Sequence, residues 1–241
     1  MQRPDTREGL WCVVPAAGRG ARFGAERPKQ YMPVAGQPLL AWTLQRLASS
    51  PDIAGLMVVL AEHDGYWPGT ESIGGKPVLT THGAAERSGS VLAGLRALPA
   101  SVRPGDYVLV HDAARPCVRS ADIARLVEEA CAAGGGLLAA PLRDTLKRAD
   151  ERLRVAVTEP REACWRALTP QVFRRGELTA ALEHAATRGI AITDEAMAME
   201  CMGHHPLLVE GADSNIKVTT PADLALAEYL LLNDAVGAPS A

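Results

Sequence analysis

The stretch LWCVVPAAGRGARFG, Leu10 to Gly24, decides the architecture. Its first five residues are continuously apolar, as a strand buried on both faces must be. The chain then turns through Pro15-Ala16-Ala17-Gly18-Arg19-Gly20. Glycines and small side chains there let backbone N–H groups approach phosphate oxygens closely. Arg22 and Lys29 add positive charge, and Gln30 closes the segment.

Two common phosphate loops do not fit. A Walker A loop needs G-x-x-x-x-G-K-[ST], and no such string occurs. The dinucleotide fingerprint needs G-x-G-x-x-G opening a helix, but Gly24 arrives one residue late, and Pro28 and Pro33 prevent a helix from following directly. The acidic residue expected at the end of the next strand is also missing, Glu62 lying much further along. A dehydrogenase is excluded on these grounds. A plain strand-to-helix turn would not need Arg22, Lys29 and Gln30 together.

Outward from this loop, short apolar runs alternate with helical patterns. Strands are predicted at Leu10–Val14, Leu56–Leu60, Tyr107–Val110 and Leu137–Ala140. Helices are predicted at Leu39–Leu47 after Pro38, at Glu86–Leu98, at Ala121–Ala132 with Ser120 as N-cap, at Arg174–Thr187, and at Ala222–Leu232 after Pro221. This order predicts an α/β fold with a doubly wound, mostly parallel sheet, whose ligands lie outside the carboxyl ends of the strands. Leu142 to Val157 is polar and strand-like, with a turn near Asp150–Glu151, and reads as a β-hairpin leaving the main body. The whole chain, 1–241, is expected to form a single domain with 142–157 as its arm, and the tail from Asn233 is expected to fray.

Composition narrows the function. Aromatics are only 4%, which argues against stacked platforms for single-stranded nucleic acid. A net charge of −3 argues against general nucleic-acid or anionic-membrane binding. The five cysteines form no CxxC pair and read as free thiols of a reducing cytoplasm, with Cys12 in the core. Met1 to Glu8 lack the apolar stretch of a signal peptide, and no apolar run approaches the roughly 18–20 residues of a membrane span. A cytoplasmic protein is expected. Lysine occurs only at 29, 76, 147 and 217 in an arginine-rich chain, so its positions carry more information than those of arginine.

Three further strings stand at chemically useful places. His111-Asp112-Ala113-Ala114-Arg115-Pro116 follows a predicted strand, and Asp112 there would bond a ribose or substrate hydroxyl or sit near a metal ion. The alternative is a strand-end carboxylate paired with Arg115. Asn215-Ile216-Lys217-Val218-Thr219 reads as an apolar, β-like segment whose Lys217 needs a partner: a bound phosphate, or an acidic side chain such as Asp213. Thr193-Asp194-Glu195 reads as a helix N-terminus capped by Thr193 or Asp194. Ser90 lies early in a helix, where its hydroxyl would meet a base. His204-His205 has no partner at metal-site spacing and is assigned to the surface.

With Pro28-Lys29-Gln30-Tyr31, Glu86-Arg87-x-x-Ser90-Val91, Arg143-Asp144-Thr145 and Leu168-Thr169-Pro170-Gln171 added, these strings run in one order from about residue 10 to 232. In that order the chain resembles the 2-C-methyl-D-erythritol 4-phosphate cytidylyltransferases of non-mevalonate isoprenoid synthesis. The resemblance implies a Rossmann-like nucleotidyltransferase that moves CMP from CTP to methylerythritol phosphate and releases pyrophosphate. It implies a homodimer in which the arm embraces the partner and helps complete its active site. It implies Mg²⁺ held mainly by the triphosphate, with Asp112 as the one side chain that would approach it. Arg22 and Lys29 match the family residues that stabilise the transition state, and Arg161 and Lys217 those that position the methylerythritol phosphate. Asp112, Arg115, Thr145 and Thr193 match further substrate contacts. Ala16, Ala17, Gly18, Gly83, Ser90 and Ala113, with Asp112, match the nucleotide pocket. The family's usual second glycine after Gly83 is Ala84 here, which puts base selectivity in question. The cyclase domain fused to some members is not expected.

Two rivals remain at this point. A cytidylyltransferase for another polyol phosphate, such as ribitol 5-phosphate, would differ around Thr145, Arg161 and Thr193. A non-catalytic nucleotide-binding regulator would keep the glycine loop without needing Arg22, Lys29 and Lys217.

Overall fold

The computed structural model describes residues 9–18 and 27–234. In chain order the strands are β1 (Leu10–Pro15), β2 (Pro33–Val34), β3 (Gln37–Pro38), β4 (Ile53–Leu60), β5 (Ser72–Ile73), β6 (Lys76–His82), β7 (Tyr107–Val110), β8 (Gly136–Pro141), β9 (Leu146–Ala149), β10 (Val155–Glu159), β11 (Trp165–Arg174) and β12 (Leu207–Glu210). The helices are α1 (Leu39–Ser49), α2 (Arg87–Ala97), α3 (Ser120–Ala133), α4 (Arg175–Thr187), α5 (Glu195–Glu200) and α6 (Pro221–Asp234). The main sheet runs β12-β8-β11-β7-β1-β4-β6-β5.

β1 lies inside this sheet, parallel to β7 on one side and β4 on the other. Side chains alternate across it. Cys12 and Val14 join Leu56 and Val58 of β4 under α1 and α3, which contribute Leu40, Leu44, Ile123 and Leu126. Val13 joins Met57 and Val59 under α2 and α4, which contribute Val91, Leu95, Leu178 and Leu182. Both faces are therefore covered, which explains the unbroken apolar runs. Gly94 sets the approach of α2 to the sheet, because a Cβ there would lie 2.5 Å from a methyl of Val13. Burial of the Cys12 thiol pushes its pKa far up, as suits a packing residue. All five cysteines are free thiols.

The sheet is mostly parallel, but β11 runs antiparallel to both β7 and β8. It was not among the predicted strands, because Pro170 argues against a central strand. The register shifts between Ala167 and Gln171 and so takes the proline out of the ladder. β6 and β12 were also unpredicted. β6 has mixed burial, and β12 is a four-residue edge strand with one buried side chain. The arm is a two-stranded hairpin, β9 with β10, turning at Asp150 as expected but reaching Glu159 rather than Val157. Ser120 is the first residue of α3 and not its cap, since Arg119 holds the extended cap conformation. The tail was expected to fray from Asn233, but Asn233 and Asp234 still belong to α6; residues 235–241 lie outside the described residues, and so does Arg22.

Candidate active site

Parallel pairing brings the carboxyl ends of β1, β4, β6 and β7 to one edge of the sheet. The segments that follow β1, β6 and β7 meet over a cavity of about 440 Å³. Ala16, Ala17 and Gly18 form one wall, Ala84 to Arg87 with Ser90 another, and Asp112 and Ala113 the floor. Lys29 and Lys217 enter from opposite ends of the sequence.

Each wall is fixed by local bonds. The Gln30 side-chain amide donates to the carbonyl of Ala16 at 2.6 Å, tying the end of the glycine-rich segment to its beginning. Tyr31 donates its hydroxyl proton to Asp64 at 2.8 Å, and burial followed by that carboxylate pushes its pKa far up. Gly83 stands behind the wall, where a Cβ would lie 2.7 Å from both the Ala17 methyl and the Ser90 oxygen. Ser90 is buried, accepts from Ala84 N–H at 3.1 Å, and turns its proton to the carbonyls of Ala84 and Glu86. Its hydroxyl braces this loop, and its one proton is not left for a base as expected. Ala84 lies so close to Gly89 that a Cβ there would approach its methyl to 2.8 Å.

The floor is a buried ion cluster. Asp112 Oδ1 accepts from Arg87 Nε at 2.9 Å, while Oδ2 meets Lys217 Nζ at 2.9 Å and Arg115 Nε at 3.4 Å. Burial alone would raise the Asp112 pKa, but Arg87, Lys217 and Arg115 together hold it far below the usual carboxylate range. Arg87 also forks both oxygens of Glu195, at 2.6 and 3.1 Å. Three cations thus face two carboxylates, leaving positive charge in excess beside the cavity. The partner of Lys217 is Asp112 and not Asp213, whose carboxylate is taken by Arg143 and Arg166. The segment around Lys217 is not a strand. It is pinned by Val218 N–H to Ala114 O at 2.8 Å, and Lys29 Nζ donates to Val218 O at 3.1 Å.

Beneath the cluster runs a chain of neutral bonds. Asp112 N–H donates to Thr169 Oγ1 at 3.1 Å, Thr169 donates to His111 Nδ1 at 3.0 Å, and His111 Nε2 donates to Arg115 O at 3.0 Å. This order requires a neutral imidazole. Burial lowers the His111 pKa to about 4, which agrees. Thr43 of α1 donates to Ala113 O at 2.9 Å. Gln171 of β11 donates to Asp194 Oδ2 at 3.0 Å and accepts from Ala196 N–H at 2.8 Å, fixing the start of α5, where Asp194 is the N-cap.

The structure divides the sequence-derived set. Ala16, Ala17, Gly18, Lys29, Ser90, Asp112, Ala113 and Lys217 surround the cavity. Arg115 lies just beneath it, donating to Asn215 O at 2.7 Å, and burial lowers its pKa. Thr145, Arg161 and Thr193 are exposed and do not line this cavity. Thr145 and Arg161 flank the arm, and Arg161 donates to Arg143 O. In the sequence Thr169, Gln171 and Glu195 stand only as letters of motifs. Their signal is burial of polar groups, which a sequence does not display.

A magnesium ion does not find a ready cage in these residues. Both oxygens of Asp112 are engaged by cations, and among the described residues no group of three His, Cys, Asp or Glu is placed to hold a metal. His204 and His205 are exposed, as expected. Among the described residues no helix is long and apolar enough to cross a membrane.

A Rossmann-like sheet with a glycine-rich segment, two lysines and a cation-rich floor at its carboxyl edge defines a nucleotidyltransferase. Residues 10–233 match the family described as 2-C-methyl-D-erythritol 4-phosphate cytidylyltransferase, and the chain belongs to that family. It is 58% identical over 230 residues, 95% of this chain and 87% of the relative, to the protein of that name from Xanthomonas euvesicatoria pv. vesicatoria (strain 85-10). It is 59% identical to the one from Stenotrophomonas maltophilia (strain R551-3), covering 92% of this chain and 96% of the relative. The crystal structure of the Francisella tularensis cytidylyltransferase superposes with a TM-score of 0.78 at 31% identity, over 92% of this chain and 99% of that one.

Proposed function

We propose that the protein transfers CMP from CTP to 2-C-methyl-D-erythritol 4-phosphate at the cavity between the glycine-rich segment and Asp112, in isoprenoid precursor synthesis. The observation that carries this reading is the meeting of Lys29 and Lys217 around one cavity whose floor has cations in excess.

The acceptor phosphate attacks the α-phosphorus of CTP, a new P–O bond forms, and the bond from that phosphorus to the bridging oxygen breaks as pyrophosphate leaves. A phosphate monoester has a second pKa of about 6, so the nucleophile is already ionised at neutral pH and needs no base from the protein. The protein supplies position and charge. Lys29, with Arg22 from outside the described residues, meets charge developing at the α-phosphate. Lys217, drawn from Asp112, meets the acceptor phosphate, and Asp112 keeps Arg87 and Arg115 as it does so. Backbone around Ala16 to Gly18 holds the phosphates, while Gly83, Ser90 and Ala113 shape the base and ribose side. Mg²⁺ would be held mainly by the triphosphate, not by these side chains, and would supply charge to offset that of the phosphates.

Thr145 and Arg161, which flank the arm, stand outside the cavity of one chain. This supports a homodimer in which the arm takes substrate-contacting residues to the partner's site. Leu153, Val155 and Val157 of the arm are exposed apolar side chains that such pairing would cover. Five free thiols support a cytoplasmic location. The deciding assay is pyrophosphate release with methylerythritol phosphate and with ribitol 5-phosphate, across CTP, UTP, ATP and GTP. Release with CTP and methylerythritol phosphate is expected. Preference for ribitol 5-phosphate would overturn the acceptor, and equal use of UTP would overturn the base.

A further inference from the structure

Arg87 opens α2, lines the cavity, and is engaged on every side of its guanidinium. Its Nε holds Asp112 Oδ1 at the end of β7, and its two terminal nitrogens fork Glu195, the first residue of α5. Glu195 is fully buried. The side chain therefore joins three element ends: the α2 start that follows the Gly83–Glu86 wall, the strand end that carries Asp112, and the Thr193-Asp194-Glu195 turn. Glu195 and Asp112 together hold the Arg87 charge against the cost of burial, so the cation persists at any working pH.

Lys217 is a third exposed and bound only through one carboxylate oxygen in this cluster, whereas Arg87 is more enclosed and bound by two acids. An arriving phosphate dianion draws away the looser cation. Asp112 must then keep enough positive charge beside it to stay ionised and in place, and Arg87 supplies it at a site already anchored by Glu195.

We propose that Arg87 is a positioning residue for the acceptor half of the reaction, holding Asp112 and the Thr193–Glu195 turn so that Lys217 is released to the acceptor phosphate. The inference rests on the acceptor being a polyol phosphate. Lysine at this position keeps the charge but loses the fork, because an ammonium cannot span Asp112 and both oxygens of Glu195 at once.

The test measures steady-state kinetics and thermal unfolding of wild type, Arg87→Lys and Glu195→Gln. In both variants the KM for methylerythritol phosphate is expected to rise at least about tenfold, with the KM for CTP within about twofold. Arg87→Lys is the variant expected to stay folded, and Glu195→Gln keeps the shape of the side chain while halving the fork. Unchanged acceptor KM in a folded Arg87→Lys overturns the proposal, as does an equal rise in both KM values. A wild-type enzyme inactive with every polyol phosphate would instead overturn the functional reading beneath it.

Discussion

Lys217 and Asp112, 105 positions apart in the chain, form an ion pair of 2.9 Å at the edge of the cavity. The pair gives a rare lysine a resting partner that a phosphate can displace. Lys217→Met leaves Asp112 to Arg87 and Arg115, so stability should fall by only about 1 kcal/mol. The KM for the acceptor phosphate should rise while that for CTP holds. Asp112→Asn is the harsher change. It leaves three cations around a neutral amide, and the fold should lose about 3 kcal/mol by urea titration. A fully stable Asp112→Asn protein would contradict the cluster.

Lys29→Ala should keep the fold and lose roughly 10²–10³ in turnover, the usual effect of removing one charge-stabilising donor. Its bond to Val218 O is to a carbonyl beside Lys217, so modest loosening there accompanies the loss. Single-turnover CMP transfer would check it, and wild-type turnover would remove Lys29 from the reaction.

Gly83→Ala should lose nucleotide affinity and about 1–3 kcal/mol of stability together. The new methyl lies 3.0 Å or less from Ala17, Ser90 and Val59, three groups that cannot all retreat. Calorimetric titration with CTP and a melting curve would read both effects, and an unaltered affinity would show that the wall can yield.

Stability should decline with acid in two steps of the same sign. His111 is buried neutral, with its pKa lowered to about 4 from the ordinary 6.5. The unfolded chain therefore takes up the proton first. The contribution of His111, on the order of 3 kcal/mol, is whole above about pH 6.5 and is lost between there and about pH 4. Asp112 acts later, its contribution falling away below the ordinary carboxylate pKa of about 3.9. Melting temperatures of wild type and His111→Asn should diverge in slope between pH 6.5 and 4.5. Parallel slopes would show that His111 does not drive the first step.

Where the chain is buried on both faces, its sequence announces the structure. β1, β4, β7 and β8 read as unbroken apolar runs because helices cover both sides. β11 was illegible for the opposite reason: a proline sits mid-strand and a register shift absorbs it. The segment at Lys217 looked like a strand, yet isolated bonds from Val218 to Ala114, from Asn215 to Thr169, and from Lys29 and Arg115 to its carbonyls, rather than a ladder, hold it in place.

The site shows the same division. Lys29 and Asp112 were legible because they follow strands or stand in scarce company. Arg87 was not, since one arginine among many carries little signal until Glu195, 108 residues away, is seen against it. Thr169 and Gln171 brace the site from β11, a strand whose presence was itself unpredicted.

The bond from Gln30 to Ala16 closes a span of 14 positions that includes Arg22. Bringing the ends of such a span together costs about 2 kcal/mol of chain entropy. Here the two ends, Ala16 and Gln30, are joined by the chain itself. Gln30 therefore lines the cavity and at the same time joins the two flanks of this segment through an amide directed at the protein's own backbone.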